Sequence, residues 1–293
     1  MGQIRRTLPL SWLARMLALL ATVVASHVGL GLLFAGNPLQ TNDPETPGRN
    51  GWEINVSQNM RFARPAFGQA LPLININYGW LENDQWKISI PVLDVDPHPG
   101  AAQWGIGDIQ LGWKYRFLEE HEHGVQASIY PQPLLPTGHE ARGLGNGRVE
   151  AFLPVSVGKH LFDDRLFLYA EAAHNVVFED LHRDTWFLGI AAEWQVTEKI
   201  ELVGEVADLV VPHFVGPDDL FFNLGFNYQF ARHAALQTAF GRSLGNASEG
   251  LSYFNSYIGL HITWGGGEGG DSDKADDGCD RPLSRLRHRL LAR

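Results

Sequence analysis

Lys114 and Arg116 stand two residues apart, with Asp108, Gln110 and Gly112 at the same spacing before them. In a strand, that spacing gathers two cations, a carboxylate and an amide on one face. Ile109, Leu111, Trp113, Tyr115 and Phe117 fall on the other, so one side requires an apolar medium and the opposite side requires water or paired charge. If the apolar faces meet lipid, the same alternation elsewhere assigns Glu53, Lys87, Asp108, Gln110, Lys114, Arg116, Glu150, Glu171, Glu193 and Glu205 to a lumen. Such a lining can select a charged solute. It can equally neutralise itself in ion pairs, because buried unpaired charge is costly. Lys114 and Arg116 are expected to form a paired cation cluster.

Residues suited to catalysis are sparse. Ser128, Ser156 and the His174-Asn175 pair could supply a nucleophile and a base, but there is no Gly-x-Ser-x-Gly or comparable local signature. His121-Glu122-His123 has two metal-ligating imidazoles without the further ligands a metal needs, and reads as a solvated turn. The segment from Gly143 to Gly147 lacks the Lys-Ser/Thr of a phosphate loop and reads as a loop with turn glycines. The expectation is no catalytic, cofactor or metal site.

Composition narrows the classes. The net charge of -10 and the lack of a basic stripe in the body of the chain argue against a nucleic-acid partner. The single cysteine, Cys279, lies in a polar tail, so no intrachain disulfide can form. Arg5, Arg6 and Arg15 precede an almost uninterrupted apolar run from Met16 to Phe34, the order of a secretory signal. Cleavage points follow Ala25 or Ala35; the alternative is a retained N-terminal anchor. The expected organisation is a signal peptide over 1–35, a periplasmic lead-in over 36–50, a barrel over 51–264 and a disordered charged tail over 265–293.

The elements that must position the lining are strands. Alternation recurs around Trp52, Ile74, Trp86, Gly105, Val125, Val149, Leu166, Trp186, Ile200, Phe221, Ala235 and Tyr253, giving about twelve segments of roughly the length that crosses a tilted bilayer. Connections at 81–85, 119–124, 159–165, 195–199 and 230–234 are short. Those at 61–70, 93–104, 136–147, 175–184, 208–219 and 243–250 are longer and rich in Gly and Pro. That parity is expected of an antiparallel, up-and-down transmembrane β-barrel with periplasmic turns and outward loops. Trp80, Trp86, Phe117, Phe162, Phe167, Trp194, Phe230 and Trp264 would form the girdle on the short-turn side. Phe67, Trp104, Phe178, Trp186, Phe214 and Phe221 would form the opposite one.

An ordered set of motifs adds a resemblance. Pro44-Glu45-Thr46-Pro47-Gly48 precedes Trp52-Glu53-Ile54-Asn55; then come Ile76-Asn77-Tyr78-Gly79, Gly105-Ile106-Gly107-Asp108, Lys114-Tyr115-Arg116-Phe117, Leu135-Pro136-Thr137-Gly138 and the pair Gly143, Gly145. Thr197-Glu198-Lys199 before Glu201 to Glu205 completes the set. From about Thr41 to Trp264 the chain resembles the bacterial transporter-like family named for the meta-pathway of phenol degradation. The resemblance implies an outer-membrane β-barrel passing small, often aromatic, molecules, with lipid, a solute and the barrel-assembly machinery as partners and no cofactor. The tail after Trp264 departs from the usual ending at the last strand. An outer-membrane enzyme acting on lipid and a purely structural closed barrel are the alternatives.

Overall fold

The computed structural model describes residues 38–63, 66–97, 100–212, 218–245 and 252–266. Almost every described segment is antiparallel strand: β1 (Trp52–Ala63), β2 (Ala66–Tyr78), β3 (Asp84–Pro97), β4 (Gln103–Ile106), β5 (Ile109–Leu118), β6 (Gln126–Ile129), β7 (Gln132–Leu135), β8 (Glu150–Leu161), β9 (Leu166–Val177), β10 (Thr185–Gln195), β11 (Ile200–Val210), β12 (Asp219–Ala231), β13 (Ala234–Ser243) and β14 (Ser252–Trp264). Both β4 and β5 pair with β3, and both β6 and β7 pair with β5 and β8, so each couple is one interrupted crossing. The wall is therefore a barrel of 12 strands. It closes where β1 pairs β14 in register from Trp52↔Trp264 to Phe62↔Phe254.

The two-residue alternation decides which way each side chain points. Along β5, Leu111 is 39% exposed and Phe117 45%, whereas Gln110 is 1% and Lys114 4% exposed. Apolar side chains face out all around the wall and polar ones face in, the inverse of a soluble barrel and the arrangement that lipid imposes. Trp80, Trp86, Phe117, Phe162, Trp194, Phe230 and Trp264 ring the outside near the short turns. Phe167 and Phe221 depart from the expected girdles. Their register places them inside, where Phe167 stacks on His160 at 4.3 Å and Phe221 packs toward Phe187.

Two further expectations are corrected. Residues 61–63, 66–70 and 93–97, read as long loops, continue β1, β2 and β3. Ladder pairing carries these extensions, Arg61↔Gly68 between β1 and β2 and Phe67↔Asp96 between β2 and β3, and Gln69 accepts from Gln58 at 2.7 Å and donates to Asp94 at 2.9 Å. The turn at His121-Glu122-His123 holds a one-turn helix, α1 (Glu120–His123), exposed throughout its His-Glu-His part.

The segment 36–50, expected as a periplasmic lead-in, is described from residue 38. Read backwards from β1, the chain turns over the short-turn end, where Asn50 N donates to Gly79 O at 2.8 Å, and then runs up inside the barrel. Pro38, Leu39, Thr41, Asn42 and Pro44 are buried there. The segment forms no helix or strand, as its Pro and Asn content suggests, yet its backbone finds partners on the wall. The leader over 1–35 lies outside the described residues, as do residues 36 and 37 and the tail beyond 266, Cys279 included.

Candidate functional site: a strapped lumen

The inward faces supply the groups that hold the segment 38–46, called the strap below. Glu205 on β11 accepts hydrogen bonds from Gln40 N at 2.8 Å, Thr41 N at 2.8 Å and Thr41 Oγ1 at 2.7 Å. Glu171 on β9 accepts from Asn42 N at 2.7 Å. Lys114 on β5 donates to the carbonyls of Asp43 at 2.7 Å and Glu45 at 2.9 Å, and its ammonium lies 3.5 Å from the Asp43 carboxylate. His160 on β8 sits between Glu45, 3.4 Å away, and Glu120 of α1, 2.8 Å away. Wall acids thus meet the strap's N–H groups and the wall lysine meets its oxygens, each through charge-assisted bonds.

Packing reinforces this polarity. Leu39 is buried among Phe167, Tyr169, Ala191, Val203, Ala239 and Tyr257, all inward from the wall. Thr41 lies over Gly189: a Cβ there would stand 2.2 Å from Thr41 Oγ1, so only glycine leaves room for the strap on β10. A Cβ at Gly158 would stand 3.1 Å from Pro44 Cγ.

The expected lumen residues divide between strap and wall. Lys114, Glu171 and Glu205 touch the strap. Glu53 accepts weakly from Asn77 at 3.4 Å; Glu193 accepts from the Tyr169 hydroxyl at 2.8 Å. Glu150 accepts from Asn146 and Asn175, each at 2.9 Å. Lys87 donates to Gln132 Oε1 at 3.2 Å, and Gln110 lies buried between β3 and β7. Arg116 does not pair with Lys114 as a cation cluster. It turns to the short-turn rim, where it donates to Glu119 at 2.9 Å and Asn83 at 3.4 Å. The second cation beside Lys114 is Lys87, and both ammoniums are set against the Tyr130 ring, at 4.9 and 5.7 Å from its centroid.

Asp108 anchors the long loop after β7 rather than lining a path. Its carboxylate accepts from Gly138 N at 2.8 Å and Asn146 N at 2.7 Å, and Thr137 Oγ1 donates to the Gly107 carbonyl at 3.0 Å. The loop so held carries Leu144 inward, where it is buried with Ala70, Leu73, Leu93 and Val95. A second inward apolar cluster, Phe152, Ala173, Phe187, Ala207 and Phe221, also lies toward the long-loop end. Toward the long loops the lumen thus carries two apolar clusters beside the Arg61–Asp219 ion pair at 2.8 Å.

The candidate catalytic residues do not converge. Ser128 and Ser156 face the interior, whereas His174 is on the outer face, stacked on Trp186 at 4.3 Å and 3.3 Å from Asp184. Among the described residues no group of three or more His, Cys, Asp or Glu side chains could hold a metal ion.

No protein-family model matches the chain, and no curated protein matches it in sequence. Solved structures do match. An outer membrane channel from Pseudomonas putida F1 superposes with a TM-score of 0.61 at 13% identity, covering 76% of this chain and 98% of that one. The NanC porin gives 0.52 at 9% identity over 71% and 98% of the two chains. The KdgM porin, in complex with disordered oligogalacturonate, gives 0.52 at 7% over 73% and 99%. At such identities the similarity establishes the fold, an outer-membrane-type β-barrel.

Proposed function

We propose that this chain is a passive channel of the bacterial outer membrane, exported by its N-terminal leader, inserted by the barrel-assembly machinery and belonging to the phenol-degradation transporter-like family that its motifs resemble. The strap is the observation that carries this reading. A merely structural barrel would satisfy its interior charges wall to wall, but here Lys114, Glu171 and Glu205 bond to a segment outside the sheet. Displacing that segment opens a path without breaking one rung of the wall. The apolar upper lumen, with Phe152, Phe187 and Phe221, favours small solutes with an apolar or aromatic body. Ser128 and Ser156 face in while His174 faces out, which disfavours the lipid-acting enzyme.

The test is single-channel recording of the refolded full chain in a planar bilayer, with circular dichroism confirming the strands. Discrete conductance steps are expected, with brief openings in the parent protein and longer ones in a Glu171→Gln, Glu205→Gln variant. Folded protein that is silent in both forms would replace this reading with the closed structural barrel.

A further inference from the structure

Two like charges share one face of the lumen. Lys87 and Lys114 both lie against Tyr130, and among the described residues neither has a wall carboxylate within ion-pair distance. The wall acids that act on them from beyond that distance, Glu53 and Glu171, accept their hydrogen bonds from Asn77 and from Asn42 and Ser156. Around Lys87 the polar groups are under-used. Gln110, 1% exposed, has neither amide atom hydrogen-bonded, and the Nε2 of Gln132, 2% exposed, also has no partner. These side chains surround Gly112, which pairs with Lys87, while Gln110 and Gln132 are its inward neighbours along and across the sheet. The result is a nest of ammonium and amide donors beside an aromatic ring. The carboxylate within ion-pair distance comes from the strap: Asp43 and two carbonyls lie on Lys114.

We propose that Lys87 and Lys114, together with the buried amides of Gln110 and Gln132, form a binding site for a small organic carboxylate, and that Asp43 occupies the Lys114 half of it as an internal competitor. This deepens the channel reading by naming the solute class: an apolar body suited to the upper lumen and one carboxylate suited to the lysine pair. A carboxylate arriving at Lys87 takes Lys114 from Asp43, and the strap loses its grip on β5. Solute binding and strap release are one exchange of anions on the same cation.

The probe is benzoate, with benzyl alcohol as the neutral molecule of similar shape, titrated calorimetrically into the refolded full chain in detergent. Saturable benzoate binding is expected, with benzyl alcohol at least about tenfold weaker, since a hydrogen bond to a charged group is being removed. Lys87→Met should lose binding by about tenfold or more, and Lys87→Arg should retain most of it. Asp43→Asn should bind benzoate more tightly, a gain that a damaged fold cannot produce. Heat-modifiable mobility confirms that each variant is a folded barrel. Equal binding of the two probes, or Lys87→Met binding as the parent does, would overturn the site. Unchanged affinity in Asp43→Asn would overturn the competitor. A protein that binds benzoate but never conducts would instead remove the channel reading and leave the site standing.

Discussion

Glu205 holds the strap through three of its four hydrogen bonds, the fourth coming from Asn223 Nδ2 at 2.7 Å. Glutamine at this position keeps the volume and Asn223's neighbourhood but removes the charge. Each charge-assisted bond contributes about 1.5–3 kcal/mol, so the Glu205→Gln strap should be loosened substantially while the strand pairs β10–β11 and β11–β12 stay intact. The expected outcome is a rise in open probability with unchanged heat-modifiable mobility. Open times equal to the parent's would mean that Glu205 is not what retains the strap. The sequence made Glu205, Glu171 and Lys114 legible as inward residues, because alternation against apolar neighbours fixes a face. It could not identify their partners. The donors are main-chain N–H groups of residues 40–42, which every residue but proline carries, and a backbone group has no signature in composition or spacing. The Lys114–Arg116 pairing failed for a related reason: two residues along a strand also means about 7 Å nearer the rim, and at the rim Arg116 meets Glu119 and Asn83.

At the scale of elements, the wall was readable wherever one face is apolar, and this extends to an orientation test. Leu111 is exposed on the outer face of β5. Leu111→Arg should cost about 2–4 kcal/mol if that face lies in lipid near midplane, and should reduce the heat-modifiable, membrane-inserted fraction. Normal insertion would place the face outside the hydrocarbon. The extended β1–β3 region reads as loops because Gly and Pro there look like punctuation, whereas the ladder continues past them and the Gln69–Asp94 bond joins β2 to β3. The break between β4 and β5 was likewise hidden, since Gly107-Asp108 fits the alternation. There the wall gives up ladder bonds and Asp108 uses its carboxylate on the loop amides of Gly138 and Asn146. Gly145 is packed tightly against that carboxylate, a Cβ on it reaching within 2.4 Å of Oδ1. Asp108→Ala should therefore free residues 136–149 while leaving the barrel closed. Amide exchange in that loop should accelerate by about tenfold or more, with β8 and β9 unchanged. Unaltered loop protection would assign the loop's order to Leu144 packing alone.

For the whole molecule, the motifs that carried the family resemblance come together in space as two latches. Asp108, Thr137, Gly138 and Gly145 close one at the long-loop end; Pro44, Glu45 and Lys114 close the other inside the lumen. Spread over the chain they read as separate turn and strand fragments, and only the closed sheet makes them neighbours. The lower latch gives the molecule a mechanical test of its own. Thr41 Oγ1 lies 2.2 Å from the position of a Cβ on Gly189, so cysteines at 41 and 189 fall within reach of a disulfide, with Cys279 replaced by serine to leave one possible pair. Oxidised, this protein has its strap fastened to β10 and should be non-conducting. Reduced, it carries a side chain at 189 where the strap needs glycine, so it should open more readily than the parent. Reductant added to a single recording should therefore switch the same barrel from silent to conducting and oxidant should reverse it, provided the strap fills the path. Equal conductance in both redox states would show that solute passes beside the strap, and would make it part of the pore lining rather than its closure.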